Sequence, residues 1–183
     1  MRKVSLWLTI GFIIYLLGIS IWLITRGANE IEVRFKEGKI KPYVQVNQSI
    51  VIFSKAGTDT LKLSDSMIST VRVSDMVRVV VLVDNWQGNM FTAKAEDISK
   101  ISIICTESLT RLNLEVYDMA TIEVRCNVDT LHVSGDGMGK IKLSGEYEYV
   151  EGNLRGGAKL IRDGELIIKT NKLKLKDGAK VII

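Results

Sequence analysis

Proline, histidine and cysteine are scarce in this sequence, which has one proline, one histidine and two cysteines among its 183 residues. His132 lies between Leu131 and Val133, so the alternation of a strand would point its side chain to solvent. A lone surface histidine has no neighbour with which to build a metal site or to activate a nucleophile. The sequence therefore predicts no metal, no cofactor and no catalytic residue, and we do not expect an enzyme.

A strong excess of one charge is also missing. The chain has 25 basic and 21 acidic residues, and Arg2 and Lys3 supply two of the four net positive charges. Nucleic-acid binding needs a one-sided basic face, so we expect no nucleic-acid partner. The acidic residues that a general acid–base pair would use look like ordinary solvated charges in the linear sequence. They are Asp118, Glu123, Asp136, Glu146 and Glu148.

A long apolar run occurs at one place, Ser5–Ile24, where 20 residues contain no charge. A helix needs about 20 apolar residues to cross the hydrocarbon core of a membrane. Arg2 and Lys3 precede the run, and positive charge on that flank favours a cytoplasmic N-terminus and an exported remainder. A cleaved signal peptide is the alternative, although its apolar region normally spans about 7–15 residues. We expect residues 1–26 to be kept as an anchor in a bacterial membrane, with the C-terminal domain in the periplasm or on the cell surface.

After the apolar run, a triplet of apolar, polar and apolar residues recurs at intervals of 9–11 residues, from Leu61 to Leu143. Such alternation is typical of a strand, and the residues between the triplets favour turns. The steady spacing favours stacked coils over hairpins of varying length. We therefore predict an all-β fold, a β-solenoid over residues 44–183 with two units in each coil, preceded by a linker or cap over residues 27–43. About seven coils would stack near 4.8 Å apart, and an antiparallel β-sandwich is the alternative.

The triplets also predict which side chains form the core, because alternate residues of a strand point to opposite faces. The first and third residue of each triplet should be buried and the middle residue exposed. The predicted core positions are Leu61, Leu63, Val71, Val73, Ile101, Ile103, Ile122, Val124, Leu131, Val133, Ile141 and Leu143.

Three glycines within the stretch Asp129–Gly152, namely Gly135, Gly137 and Gly139, look like a phosphate-binding loop. Such a loop needs a following helix whose N-terminal amides face the anion. Here the sequence continues with "KIKL", which has the alternation of a strand. Glycine adopts the positive φ values of tight corners at little cost, so we expect these glycines to form a corner of the solenoid.

The two cysteines, Cys105 and Cys126, share the parity of the buried residues of their strands and lie 21 residues apart. One full coil would separate them, so they should stack, and strand spacing falls within the Cα range that a disulfide accepts. Parallel side chains would hold the Cβ atoms too far apart for a relaxed bridge. The sequence leaves a disulfide and a pair of buried thiols both open, and we favour the thiols.

Three aromatic residues are candidates for ligand contact. Trp86 lies in the polar stretch "DNWQGN", and Tyr147 and Tyr149 share the parity of one strand face. Such rings stack on sugars, although covering an edge of the core is their commoner use.

The recurring "LHVSGDGMGKIKLSGEYEYVEG" after one short anchor resembles the auto-transporter adhesin head domain family, also called the GIN domain. The pattern "L-x-V-S-G-x-G" of that family is matched best by Leu131–Gly137 and by Ile141–Gly145. The Ser-Gly repeats are sparser here than is usual for the family. The resemblance implies a right-handed β-helix and a location in the cell envelope, and it brings no catalytic residues.

The first functional hypothesis is an envelope-anchored binding or structural module of adhesin-like character. Two further functions are alternatives to it. One is a carbohydrate-active β-helix enzyme, and the other is a polymerising scaffold similar to the bactofilins, which act in the cytoplasm. The partners that we expect are the membrane, through Ser5–Ile24, and a protein or polysaccharide. The apolar residues Val181, Ile182 and Ile183 close the sequence. We favour end-to-end self-association through them, and the alternative is an edge that nearby lysines keep soluble by repulsion. These lysines are Lys172, Lys174, Lys176 and Lys180.

Overall fold

The computed structural model describes residues 32–33, 43–47, 49–63 and 68–183, all within one compact unit, Glu32–Ile183. Every regular element in these ranges is a β-strand, and no helix among them is long and apolar enough to cross a membrane. The predicted anchor, Ser5–Ile24, lies outside the described residues. The strands are β1 (Glu32–Val33), β2 (Tyr43–Asn47), β3 (Ile50–Ser54), β4 (Gly57–Leu63), β5 (Thr70–Val73), β6 (Val77–Val83), β7 (Phe91–Ala95), β8 (Lys100–Cys105), β9 (Leu109–Val116), β10 (Thr121–Arg125), β11 (Val128–Gly135), β12 (Lys140–Leu154), β13 (Lys159–Leu175) and β14 (Lys180–Ile182).

From β3 onward the chain forms a β-solenoid of about six turns with two parallel sheets. One sheet stacks β4, β6, β8, β10, the first part of β12, the first part of β13 and β14. The other stacks β3, β5, β7, β9, β11 and the second parts of β12 and β13. The predicted solenoid is confirmed and the antiparallel sandwich is wrong, because each strand from β3 onward pairs in parallel with the strand one coil away. Its handedness stays a prediction.

The parallel coils begin later than the predicted start at residue 44. Strand β2 pairs antiparallel with β3, and β1 pairs antiparallel with β4. Both strands of the first coil therefore have an antiparallel neighbour on their N-terminal side. Because β2 belongs to this antiparallel pair and not to a coil, the number of turns is slightly lower than the predicted seven.

The predicted core is confirmed in the central coils, where all twelve predicted core residues are at most 1% exposed. The middle residues of these triplets, predicted to be exposed, are so in part: three are exposed and three are half-buried, the latter being Ser102, Glu123 and Lys142. Ile103, for example, lies in register between Val81 and Val124 on the neighbouring coils. The last described coil departs from this pattern. Leu175 and Ile183, which share the inward parity, are 45% and 67% exposed, because within the described chain no further coil packs on them.

The two sheets meet along two rims where the chain turns. The aspartate rim contains the turns that lead from β3 to β4 and from each later equivalent strand to the next, and its central residues have positive φ. These stacked residues are Lys55, Asp75, Asp97, Asp118, Gly137, Gly156 and Asp177, with φ between 53° and 67°. Gly137 is thus one member of a column of corner residues, with φ of 67°, and strand β12 follows it. The predicted role of this glycine stretch as a corner is confirmed.

Candidate binding surface at the disulfide rim

The opposite rim, here called the disulfide rim, is crossed by a bond between Cys105 and Cys126. Cys105 ends β8 and Cys126 directly follows β10, and their Cα atoms are 5.0 Å apart. The preference for free thiols is therefore corrected, since the two sulfurs are bonded. The prediction assumed side chains running parallel within a strand, but both cysteines lie where the strands end and the chain turns. The bond links two successive coils covalently at their edge.

Two depressions lie on the surface of this rim, and the smaller one is lined by the disulfide itself. One has a volume of about 370 Å³ and the other about 300 Å³. The first is lined by Asn127, Ser144, Gly145, Glu146, Asp163, Gly164, Glu165 and Ile167. The second is lined by Cys105, Thr106, Glu107, Ser108, Arg125, Cys126, Asn127, Ser144 and Gly145. Because they share Asn127, Ser144 and Gly145, the two depressions adjoin each other along the rim, and together they are here called the rim groove.

Close backbone packing shapes the floor of the rim groove. Gly145 has φ of 114°, and a Cβ there would lie 2.2 Å from the carbonyl oxygen of Cys126. Any larger residue would therefore push the two coils apart. The Oδ1 atom of Asn127 accepts a hydrogen bond from the backbone N–H of Glu146 at 3.0 Å. The side chain of one coil thus holds the turn of the next coil in place.

The walls of the rim groove carry more acid than base. Its lining contains four carboxylates, from Glu107, Glu146, Asp163 and Glu165, and one guanidinium, from Arg125. A nitrogen of that guanidinium lies 3.9 Å from the Asp163 carboxylate, with both side chains more than a third exposed. Among the residues that the structure describes, no group of acidic, histidine or cysteine side chains is arranged to hold a metal ion. The arrangement suits a polar or cationic ligand that binds through hydrogen bonds.

Trp86, a predicted ligand contact, packs against the body of the solenoid. Its indole N–H donates to the Ile68 carbonyl at 3.1 Å, and its ring packs edge-on against Phe91 with centroids 5.8 Å apart. A Cβ on Gly88 would lie 2.1 Å from the Trp86 ring, so the loop chain crosses directly over the indole. The side chain covers an edge of the core, the alternative that the sequence left open.

Tyr147 and Tyr149 do not share a strand face. Tyr147 is fully buried, and its hydroxyl donates to the Ser144 carbonyl at 3.2 Å. Tyr149 is half-buried and lies under the ammonium of Lys172, 5.1 Å from the ring centroid. The common-face prediction is wrong because two successive residues point outward after this turn. The same pattern of burial occurs one coil earlier, from Val128 to Leu131. Burial raises the pKa of Tyr147.

The structure distributes the acidic candidates over separate surfaces. Asp118 and Asp136 lie at the aspartate rim, Glu146 lines the rim groove, and Glu148 forms an exposed ion pair with Lys169. His132 is exposed as predicted, with Nδ1 3.6 Å from a carboxylate oxygen of Glu151.

Glu123, the remaining acidic candidate, lies on the outer face of a sheet between Lys100 and Lys142. Its carboxylate is 2.7 Å from the Lys100 ammonium and 2.9 Å from the Lys142 ammonium. Burial alone would raise the pKa of Glu123, but the hydrogen bonds and positive charges of the two lysines outweigh it and hold the pKa below its ordinary value. A carboxylate held in its charged form by two lysines acts as a structural ion-pair partner.

Sequence reasoning identified Glu146, Cys105 and Cys126 but missed the other residues of the rim groove. A signal was present, because "SGE" at Ser144–Glu146 recurs as "DGE" at Asp163–Glu165, 19 residues later. These turns have the same shape in successive coils, with φ of 114° at Gly145 and 102° at Gly164. Comparison of the chain with protein-family models, with curated proteins and with solved structures finds no match.

Proposed function

We propose that this chain is an envelope-anchored β-solenoid whose exported domain is a binding module of adhesin-like character. The observation that carries the proposal is the Cys105–Cys126 disulfide. Disulfides persist in oxidising compartments such as the bacterial periplasm and cell surface, and they are rare in the cytoplasm. The charge-free run Ser5–Ile24, with basic residues before it, supports export of everything that follows.

The rim groove is the surface that we propose for binding. The disulfide joins the two coils at one end of the groove, and the Asn127 side chain holds the turn of the next coil, so this part of the wall is ordered before any ligand arrives. Preorganisation of this kind lowers the free-energy cost of ordering side chains on binding. Its carboxylates and the amide of Asn127 favour a ligand rich in hydroxyl or ammonium groups, such as a cell-wall polysaccharide with amino sugars.

Location is tested first, with the full chain in bacterial cells. A reporter active only in the periplasm, fused after Ile183, should be active, and Cys105 and Cys126 should resist alkylation until a reductant is added. An inactive reporter on a membrane-bound chain with two alkylated thiols would show that the domain is cytoplasmic. That outcome would favour a scaffold of the bactofilin kind.

Binding is tested by co-sedimentation of the purified full chain with insoluble peptidoglycan. Removing charge from the groove with Glu146→Gln and Asp163→Asn should weaken binding about tenfold, since each variant loses a charge-assisted hydrogen bond. Glu148→Gln is the matched control, because Glu148 lies two residues away, outside the groove, and pairs with Lys169. Equal binding by the groove and control variants would rule out the groove as the binding surface.

A further inference from the structure

A row of exposed apolar side chains runs along the aspartate rim. Met76, Ile98, Met119 and Met138 occupy the same position in four successive coils and are 63%, 58%, 55% and 64% exposed. At the strand spacing of about 4.8 Å they form a line roughly 14 Å long. This row, here called the apolar ridge, exposes roughly 400 Å², a patch size that in soluble proteins often marks an interaction site.

Backbone hydrogen bonds between coils hold the apolar ridge straight. The N–H groups of Ile98, Met119 and Met138 donate to the carbonyl oxygens of the corner residue one coil earlier, at 3.1, 3.0 and 2.6 Å. Each ridge residue directly follows a residue with positive φ, which turns the ridge side chain out of the core. The ridge is therefore a fixed feature of the coil stack and is built by the same turn in every coil.

Opposite charges line the two sides of the apolar ridge. Along the chain, an aspartate directly precedes the first three ridge residues, whereas a basic residue follows two positions after three of the four. The acidic column consists of Asp75, Asp97 and Asp118, and the basic column of Arg78, Lys100 and Lys140. Lys100 also contacts Glu123, which binds Lys142 as well, so that group of three side chains keeps one net positive charge.

This order of charges determines which symmetric contact between two ridges is favourable. If two copies face each other with their long axes parallel, a two-fold axis along the stack places the acidic column of each copy against the basic column of the other. If the copies run antiparallel, acid faces acid and base faces base. Closed two-fold contacts are the commonest form of self-association, and complementary potentials select the orientation. We infer that the apolar ridge is the contact of a parallel homodimer, with each coil facing its own counterpart.

A bilayer surface is a poorer occupant of the same ridge. Membrane surfaces of bacteria carry negative lipids, which attract basic segments and repel acidic ones. The acidic column lies directly beside the ridge, so an anionic surface would meet Asp75, Asp97 and Asp118 together with the apolar side chains. A stable interface typically buries about 800 Å² from each partner. The ridge by itself exposes about half of that area, so we expect a weak, salt-sensitive dimer.

Photo-crosslinking of the full chain in membranes tests the contact and its direction. A benzophenone amino acid at position 76 should yield a covalent dimer whose crosslinked peptide contains the Met76 region of the second copy. The same probe at position 90 is the matched control, because Met90 is 50% exposed and lies outside the ridge. Equal dimer yields from the two positions, lipid adducts alone, or crosslinks to an unrelated protein would overturn the inference. Crosslinks from position 76 to the Met138 region would overturn the parallel arrangement.

Charge reversal provides a second test that does not alter the ridge. Asp118→Lys should reduce the dimer yield from position 76 about fivefold to tenfold, since it places like charges near Lys100 and Lys140 of the facing copy. Lysine fits this corner, because Lys55 has φ of 63° at the equivalent position of the first coil and Asp118 has 57°. The double variant Asp118→Lys, Lys140→Asp should recover most of the yield. Failure of the double variant to recover, with its circular dichroism unchanged, would exclude the proposed pairing of columns.

Discussion

Ile103 and Ile104 offer a direct measure of how strongly the solenoid distinguishes inside from outside. The two residues are adjacent in β8 and chemically identical, but Ile103 is 0% exposed and Ile104 is 38% exposed. Ile103 packs in register between Val81 and Val124 of the neighbouring coils. Replacing each isoleucine by alanine removes the same atoms from two different environments.

The expected losses in the free energy of unfolding differ several-fold between the two variants. Ile103→Ala removes buried methyl and methylene groups worth about 2.4 kcal/mol of transfer free energy, and the cavity left between two rigid coils adds to this. We expect the free energy of unfolding to fall by about 3–4 kcal/mol, a large part of the roughly 5–15 kcal/mol available to a typical domain. Ile104→Ala should cost less than about 1 kcal/mol, since much of its side chain already contacts water.

The measurement is denaturant unfolding of the full chain in detergent, followed by circular dichroism, with the disulfide intact in both variants. A difference of at least about 2 kcal/mol between the variants is required by the burial of Ile103. Equal losses would refute the assignment of odd-numbered β8 residues to the core, and with it the register of that coil.

Three further outcomes follow from particular contacts. Replacing Cys105 and Cys126 by serine should lower the free energy of unfolding by about 3 kcal/mol, because a cross-link over 21 residues is lost. A reductant should destabilise the wild type by the same amount and leave the stability of the variant unchanged. Gly152→Ala should strongly destabilise the fold in thermal unfolding, since a Cβ there would lie 1.8 Å from the Val133 carbonyl oxygen. A melting temperature equal to that of the wild type would show that the two backbones are not so close. The fold favours the charged form of Glu123. The ion pairs of Glu123 therefore stabilise the fold above pH 4.5, and this stabilisation is lost as the pH falls below that value. Glu123→Gln should remove this acid-sensitive part of the free energy of unfolding. The expected loss is less than about 1 kcal/mol, because the lysines are partly exposed. If the variant's stability depends on pH as that of the wild type does, the ion pairs do not stabilise the fold.

The sequence predicted the coil architecture well because its signal is local. Alternation over three residues reports which side of a strand each side chain occupies, and turn residues at about ten-residue spacing report where the chain reverses. Both are properties of short segments, so Ile103 and Val124 were assigned to the core without knowledge of their neighbours. The same reasoning failed at Tyr149, where two outward residues in succession break the alternation.

The surfaces depend on how coils of unequal length come into register, and here the tertiary structure decided. The ridge residues Met76, Ile98, Met119 and Met138 are separated by 22, 21 and 19 residues, so no constant period aligns them, yet stacking places them in one row. The disulfide is similar, since the spacing of Cys105 and Cys126 predicted proximity but not the turn that brings their sulfurs together. Where the strands alternate regularly, the sequence by itself determined which residues face the core, because that follows from the backbone geometry of each strand. The tertiary structure alone decided which exposed residues become neighbours, because that depends on the hydrogen-bond register between coils.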